Sequence, residues 1–354
     1  MKRCSYCGRE SPDDASHCHE CGTELNNEQA HQAPKLQPEP PADLPECDLT
    51  DLDLGFDYVD GFSRPDWERI GRFIKHNVPR EEWSKTWSFI ADQWLQQLAR
   101  DLGGGAFVSR SQNFLIMSDL GHEKTSSLIT YAESALMTVR NRLGPAAWQG
   151  YYGKHVLLFF SDQEDYFAYI SYFYHEGSHA LSAGVFIRSG YAHIAVPYVN
   201  GWSAEHTLVH ELVHNLLCHL AIPSWLNEGL ACLIERQISR RPFAVDRELA
   251  ERHMTFWNVK NIQEFWSGKS FDVPGDESQL SYSLAEIIVI LMSERAKNFA
   301  DFVQSAEWRD GGQDAALKIL DMDLGDVVAG FLGPGNWRPE RKAIAEHSKK
   351  PNQD

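Results

Sequence analysis

Long apolar runs are missing from this chain of 354 residues. The longest, Val156 to Phe160 and Ile287 to Met292, fall far short of the roughly 18 residues that a membrane span needs. Positive charge is scarce as well: 33 Lys and Arg stand against 50 Asp and Glu, a formal net charge of −17. That balance excludes a general affinity for nucleic-acid phosphate or anionic membrane, since both require a basic face. The N-terminus lacks the charged region, apolar core and cleavage site of a secretory signal, so a cytoplasmic protein is expected. Cysteines are few and odd in number. Of the seven, four sit in Cys-x-x-Cys pairs, which suits metal-bound thiolates in a reducing compartment better than a disulfide framework. What is present, 43% hydrophobic and 23% charged residues, describes a globular chain long enough for one large or two ordinary domains.

Taken in order, residues 1–25 carry Cys4, Cys7, Cys18 and Cys21, with Gly8 and Gly22 after the second cysteine of each pair. Four thiolates make a closed tetrahedral Zn²⁺ site, structural because no position is left open. So short a segment cannot build a core, and the metal would supply its folding energy. The segment resembles the zinc ribbons. His17 and His19 flank the third cysteine as substitute ligands or solvated side chains. Acids outnumber Lys2, Arg3 and Arg9 here, so a protein partner fits the ribbon better than nucleic acid.

Residues 26–62 read as a linker, rich in Pro, Gln and Glu and then acidic, with no Lys or Arg between Asp43 and Asp60. Phe56, Tyr58 and Phe62 are either docking anchors or part of a solvated lead-in. Residues 63–105 are helical. One helix is predicted from Pro65 to His76 and another from Pro79, in which Trp83, Trp87, Ile90, Trp94 and Leu98 recur at helical spacing. Residues 106–335 change character. Strands are predicted at Asn113–Ser118 and His155–Ser161, a helix at Glu123–Leu143, and a helix capped by Asp162. A hairpin pairs Gly184–Arg188 with Ala192–Tyr198, and Pro197 points to an edge strand. Helices follow, ending with Ala315–Leu320 and Leu324–Leu332, and residues 336–354 read as a polar disordered tail. The fold class is α+β: a small mixed sheet with an edge strand, then a helical part, preceded by a small zinc ribbon.

The chemistry lies in His210-Glu211-Leu212-Val213-His214 and in Glu228, fourteen residues after His214. Residues four apart on a helix share a face, so His210 and His214 can aim two imidazoles at one point, with Glu211 beside it. Leu208, Val209, Leu212, Val213, Leu216, Leu217 and Leu220 fill the opposite arc, and Ser203 is the expected N-cap. Pro223 ends that helix, Ser224 caps the next, and Glu228 falls in its first turns. Gly229 and Ala231 allow close approach of a neighbouring helix.

This pattern, His210-Glu211-x-x-His214 followed by Asn227-Glu228-Gly229-Leu230-Ala231, resembles the gluzincin metallopeptidases, with a peptidase MA-like flavour, over roughly residues 110–335. The resemblance implies a zincin-like domain in which His210, His214 and Glu228 hold a catalytic zinc and Glu211 is the general base. It also implies a polypeptide substrate, laid along the edge strand at Ala192–Tyr198 as an added strand. Gluzincins of this type often use a downstream tyrosine to bind the oxyanion, and Tyr282 stands where the resemblance places it; its competing reading is a core tyrosine. His206 and Cys218 reach the same helix face without an assigned role, and Glu286 is a candidate to orient a ligand histidine. Two zinc ions are thus expected, one catalytic and one structural. The alternative is a catalytically silent scaffold of the same fold, recruited through its ribbon.

Overall fold

The computed structural model describes residues 54–148, 153–174, 183–273 and 275–347, together with 2–3, 10–11, 49 and 52. The four ribbon cysteines lie outside the described residues. β1 (Lys2–Arg3) and β2 (Glu10–Ser11) pair antiparallel on either side of the first Cys-x-x-Cys in sequence.

The chain is mixed α+β and divides into two compact units. The first holds residues up to 136, with 150–175 and 180–208. A hairpin of β3 (Asp57–Val59) and β4 (Phe62–Arg64) begins inside the stretch expected to be linker and runs past its end. Helix α1 (Trp67–Asn77) follows, capped by the Asp66 carboxylate, and then α2 (Trp83–Leu102). Pro79 stands just before the 3-10 turn Arg80–Glu82 that leads into α2. The tryptophan stripe of α2 is structural and serves two cores. Its first half packs with Ile70 and Ile74 of α1 and with Val78 just after it, which Leu49, Leu52 and Leu54 also cover. Its second half, Trp94, Leu95 and Leu98, packs on the sheet. The helical segment 63–105 therefore shares its core with the strands after it.

That sheet has the order β5-β6-β7-β9-β8, from β5 (Phe107–Arg110), β6 (Phe114–Ser118), β7 (His155–Phe160), β8 (Val185–Ile187) and β9 (His193–Pro197). β6, β7 and β9 are parallel, and the outer strands run antiparallel to them. Helices α3 (His122–Leu143) and α4 (Gln163–Ser171) link them, α4 capped by Asp162. The inner strands are buried throughout, as expected of parallel strands covered on both faces.

β9 is interior, with β7 on one side and β8 on the other, so Ala192–Tyr198 is no free edge. Pro197 is tolerated for a different reason. The Tyr198 N–H donates to Phe160 on the β7 side, so the Pro197 nitrogen faces the β8 side, beyond the last β8 pair at Ala195. A missing N–H costs no ladder bond there.

The second unit holds residues 137–149, 176–179 and 209 onward. Its helices are the second half of α5 (Gly201–Leu217), α6 (Ser224–Ile238), α7 (Arg247–Phe256), α8 (Ile262–Ser267), α9 (Asp276–Ser293) and α10 (Phe299–Ser305). A short α11 (Gln313–Ala315) runs into a π-type turn, Ala316–Leu320, before α12 (Leu324–Leu332) and α13 (Arg341–His347). The segment from Trp337, read as a disordered tail, is docked as far as His347. The Trp266 indole N–H donates to the Trp337 carbonyl, the Gln263 amide bonds both Arg338 and Glu340, and Ile344 is fully buried. Among the described residues, no helix is long and apolar enough to cross a membrane.

Candidate metal centre

Helix α5 begins at Gly201, two residues before Ser203. The Asn200 side chain accepts from the Ser203 N–H at 2.9 Å, so Asn200 supplies the cap and Ser203 lies inside the first turn. Leu208, Val209, Leu212, Val213, Leu216 and Leu217 are essentially fully buried and hold the helix by that side. Helix α6 starts at Ser224 with Pro223 as its cap residue and no side-chain cap bond, so Ser224 is not the cap either. Trp225, Leu226, Leu230 and Ala231 anchor it, which leaves Glu228 on its remaining face.

The two helices bring the three residues together. Glu228 Oε2 lies 3.2 Å from His210 Nε2 and 3.4 Å from His214 Nε2, and the imidazole centroids are 4.8 Å apart. Among the described residues, His210, His214 and Glu228 form the group whose donor atoms all fall within 4.8 Å of one another; His206 and Cys218 stand outside it. Each side chain is less than one-fifth exposed. Glu211 is 7% exposed, and its charge raises the pKa of both histidines.

The electrostatics follow from this crowding. Burial opposes charge on His210, yet hydrogen bonds to Glu228 and Glu235 outweigh it and hold the imidazole well above its usual value. His214 is raised by Glu228 against its own burial and the repulsion of His210. Burial pushes Glu228 up, but the two histidines prevail and hold its carboxyl far below the ordinary range. The carboxylates thus favour positive charge at this point.

Glu235 escaped the sequence reading. Its Oε2 is 3.3 Å from His210 Nδ1, and its other oxygen pairs with Arg241. It therefore orients His210, fixing a proton on Nδ1 and leaving Nε2 to face Glu228. The available signal was its position seven residues after Glu228, two turns along the same helix face. Glu286, the residue nominated for that role, instead grips Arg236 with both carboxylate oxygens, joining α9 to α6.

Gly229 does allow a close approach, but to α9. A Cβ there would lie 2.6 Å from the Ala285 carbonyl oxygen and 2.7 Å from Val289 Cγ2. The same helix carries Tyr282, whose ring centroid is 6.4 Å from that of His210 and which stacks edge-on to Phe271 at 5.3 Å. The Glu228 charge, then burial, with Cys232, Glu211 and Asp272 adding, pushes the phenol far above its ordinary value. It is a permanent hydrogen-bond donor at neutral pH.

A second spelling of the motif, His175-Glu176-Gly177-Ser178-His179, lies outside the described residues. Fourteen residues beyond it stands His193 in place of a glutamate. That imidazole is engaged by Tyr169 and by the Tyr191 carbonyl, 2.7 Å from each. Comparison with protein-family models and with curated proteins finds no match for this chain.

Proposed function

We propose that the chain is a zinc-dependent metallopeptidase of the gluzincin type, hydrolysing polypeptides with Glu211 as general base. The observation that carries this reading is two imidazole Nε2 atoms converging on one carboxylate oxygen. Read without a metal, Glu228 Oε2 must accept from both Nε2 atoms, and His210, which faces a carboxylate at each ring nitrogen, must carry a buried positive charge 4.8 Å from the second ring. One dication satisfies all three groups at once. The spacing suits it: ligands about 2.0–2.2 Å from a tetrahedral zinc lie roughly 3.3 Å from one another, against the 3.2 and 3.4 Å found. The donor set, two imidazoles and a carboxylate, also suits zinc and leaves a fourth position for water.

Bound zinc would lower the pKa of water to about 7 and polarise a carbonyl oxygen. Glu211 accepts the proton of the attacking water and delivers it to the leaving amine. The Tyr282 hydroxyl donates to the oxygen that gains negative charge, a donor of the kind worth about 3 kcal/mol in a transition state. Glu235 keeps His210 in the tautomer that offers Nε2. At the N-terminus, Cys4, Cys7, Cys18 and Cys21 hold a second, closed zinc, and that ribbon recruits a protein partner.

The test is zinc content and casein hydrolysis by the wild-type chain beside Glu211→Gln. The variant keeps its zinc and loses hydrolysis by about 10²–10⁴-fold, the usual worth of a general base. Equal hydrolysis by both removes Glu211 from the mechanism. A zinc-loaded wild type without peptidase activity favours the silent scaffold.

A further inference from the structure

His253 is fully buried, lies outside the metal centre, and has a fixed hydrogen-bonding state. Its Nδ1 faces the Trp257 indole nitrogen at 3.0 Å and its Nε2 faces Ser283 Oγ at 3.0 Å. An indole N–H can only donate, so Nδ1 must accept. The ring proton of the neutral imidazole therefore sits on Nε2 and is donated to Ser283. Ser283 follows Tyr282 on α9, about 100° further round the helix. The second half of α9 is mainly apolar: Leu284, Ala285, Ile287, Ile288 and Val289 are buried, and that burial is a non-directional driving force. Polar ties also hold its roll: Glu286 to Arg236 of α6, Ser281 to Ser270, and Ser283 to the buried His253 of α7.

We infer that His253 is a positioning residue, whose neutral Nε2–H imidazole sets the roll of α9 and so aims the Tyr282 hydroxyl. This rests on the reading of Tyr282 as the oxyanion donor. The surroundings favour the neutral ring. Phe331 of α12 packs edge-on at 5.2 Å, and Arg252, the neighbouring charge on α7, is paired with Asp276 of α9 at 3.2 Å. Burial, with Arg252 adding, pushes the imidazole down to about 4.

The test uses the full-length chain and two kinds of readout. Nitrogen-15 NMR of the histidine rings at pH 7, assigned with His253→Gln, shows His253 as the Nε2–H tautomer. Fluorine NMR of fluorotyrosine-labelled chain, assigned with Tyr282→Phe, shows the Tyr282 signal moved by Ser283→Ala. In hydrolysis, Ser283→Ala lowers kcat about fivefold with KM within twofold and zinc content unchanged. In the Tyr282→Phe background the same substitution has no further effect, because the two act as one unit. An Nδ1–H tautomer, an unmoved Tyr282 signal, or the same fivefold loss in the Tyr282→Phe background each overturns the inference. A chain without hydrolytic activity defeats the peptidase reading alone, since both spectroscopic readouts still decide whether His253 aims Tyr282.

Discussion

His210 sits at the centre of a short relay: Arg241 holds Glu235, Glu235 faces His210 Nδ1, and His210 Nε2 faces Glu228. Because carboxylates raise both histidines, the metal-free imidazoles keep their protons to higher pH than free histidine does, and a bound zinc would displace them. Affinity therefore rises as pH climbs through the raised imidazole values and falls steeply below them. Calorimetric titration in two buffers of different ionisation enthalpy at pH 7 checks this: protons are released on binding, and a buffer-independent heat contradicts it. Replacing Glu235 with Gln weakens zinc about 10–100-fold, the usual effect of removing an orienting partner. Glu286→Gln leaves zinc affinity near wild type while lowering Tm, since it breaks the Arg236 pair; competition with a chelator separates the two outcomes. The convergence of His210, His214 and Glu228 was legible in the sequence because their spacing is local. Glu235 was hidden because choosing between Glu235 and Glu286 depends on which helix faces α5, a tertiary fact.

Between elements, α6 fits closely against α9. Gly229→Ala drives a methyl into the Ala285 carbonyl, and overpacking of this kind costs about 1–3 kcal/mol. Urea unfolding should show that loss, with kcat falling as well because α9 carries Tyr282; an unchanged midpoint contradicts the contact. Periodicity made most helices legible, and turn chemistry gave the β8–β9 hairpin. Strand order was not legible, because β7 and β9 meet across a crossover and Pro197 alone suggested an edge. The β3–β4 hairpin was hidden by acidic composition, although Phe62 is a core residue. The terminal helix α13 was hidden because Ile344 is its one fully buried apolar anchor.

Across the molecule, each unit buries a neutral histidine. His193 in the first and His253 in the second are both pushed down to about 4 by burial. Their folded values lie below the unfolded value near 6.5, so the unfolded chain binds more protons between pH 6.5 and 4, and stability falls as pH drops through that window. Each can contribute up to about 3 kcal/mol. In the zinc-loaded chain a His193→Gln, His253→Gln double variant shows a flatter dependence of Tm on pH there, and an unchanged slope contradicts the assignment. The central claim, that His210, His214 and Glu228 share one zinc, is tested most directly by anomalous diffraction at the zinc edge from crystals of the full chain grown with zinc. An anomalous peak bonded to His210 Nε2, His214 Nε2 and a Glu228 oxygen at about 2.0–2.2 Å is the result expected; no peak between these three side chains would contradict it.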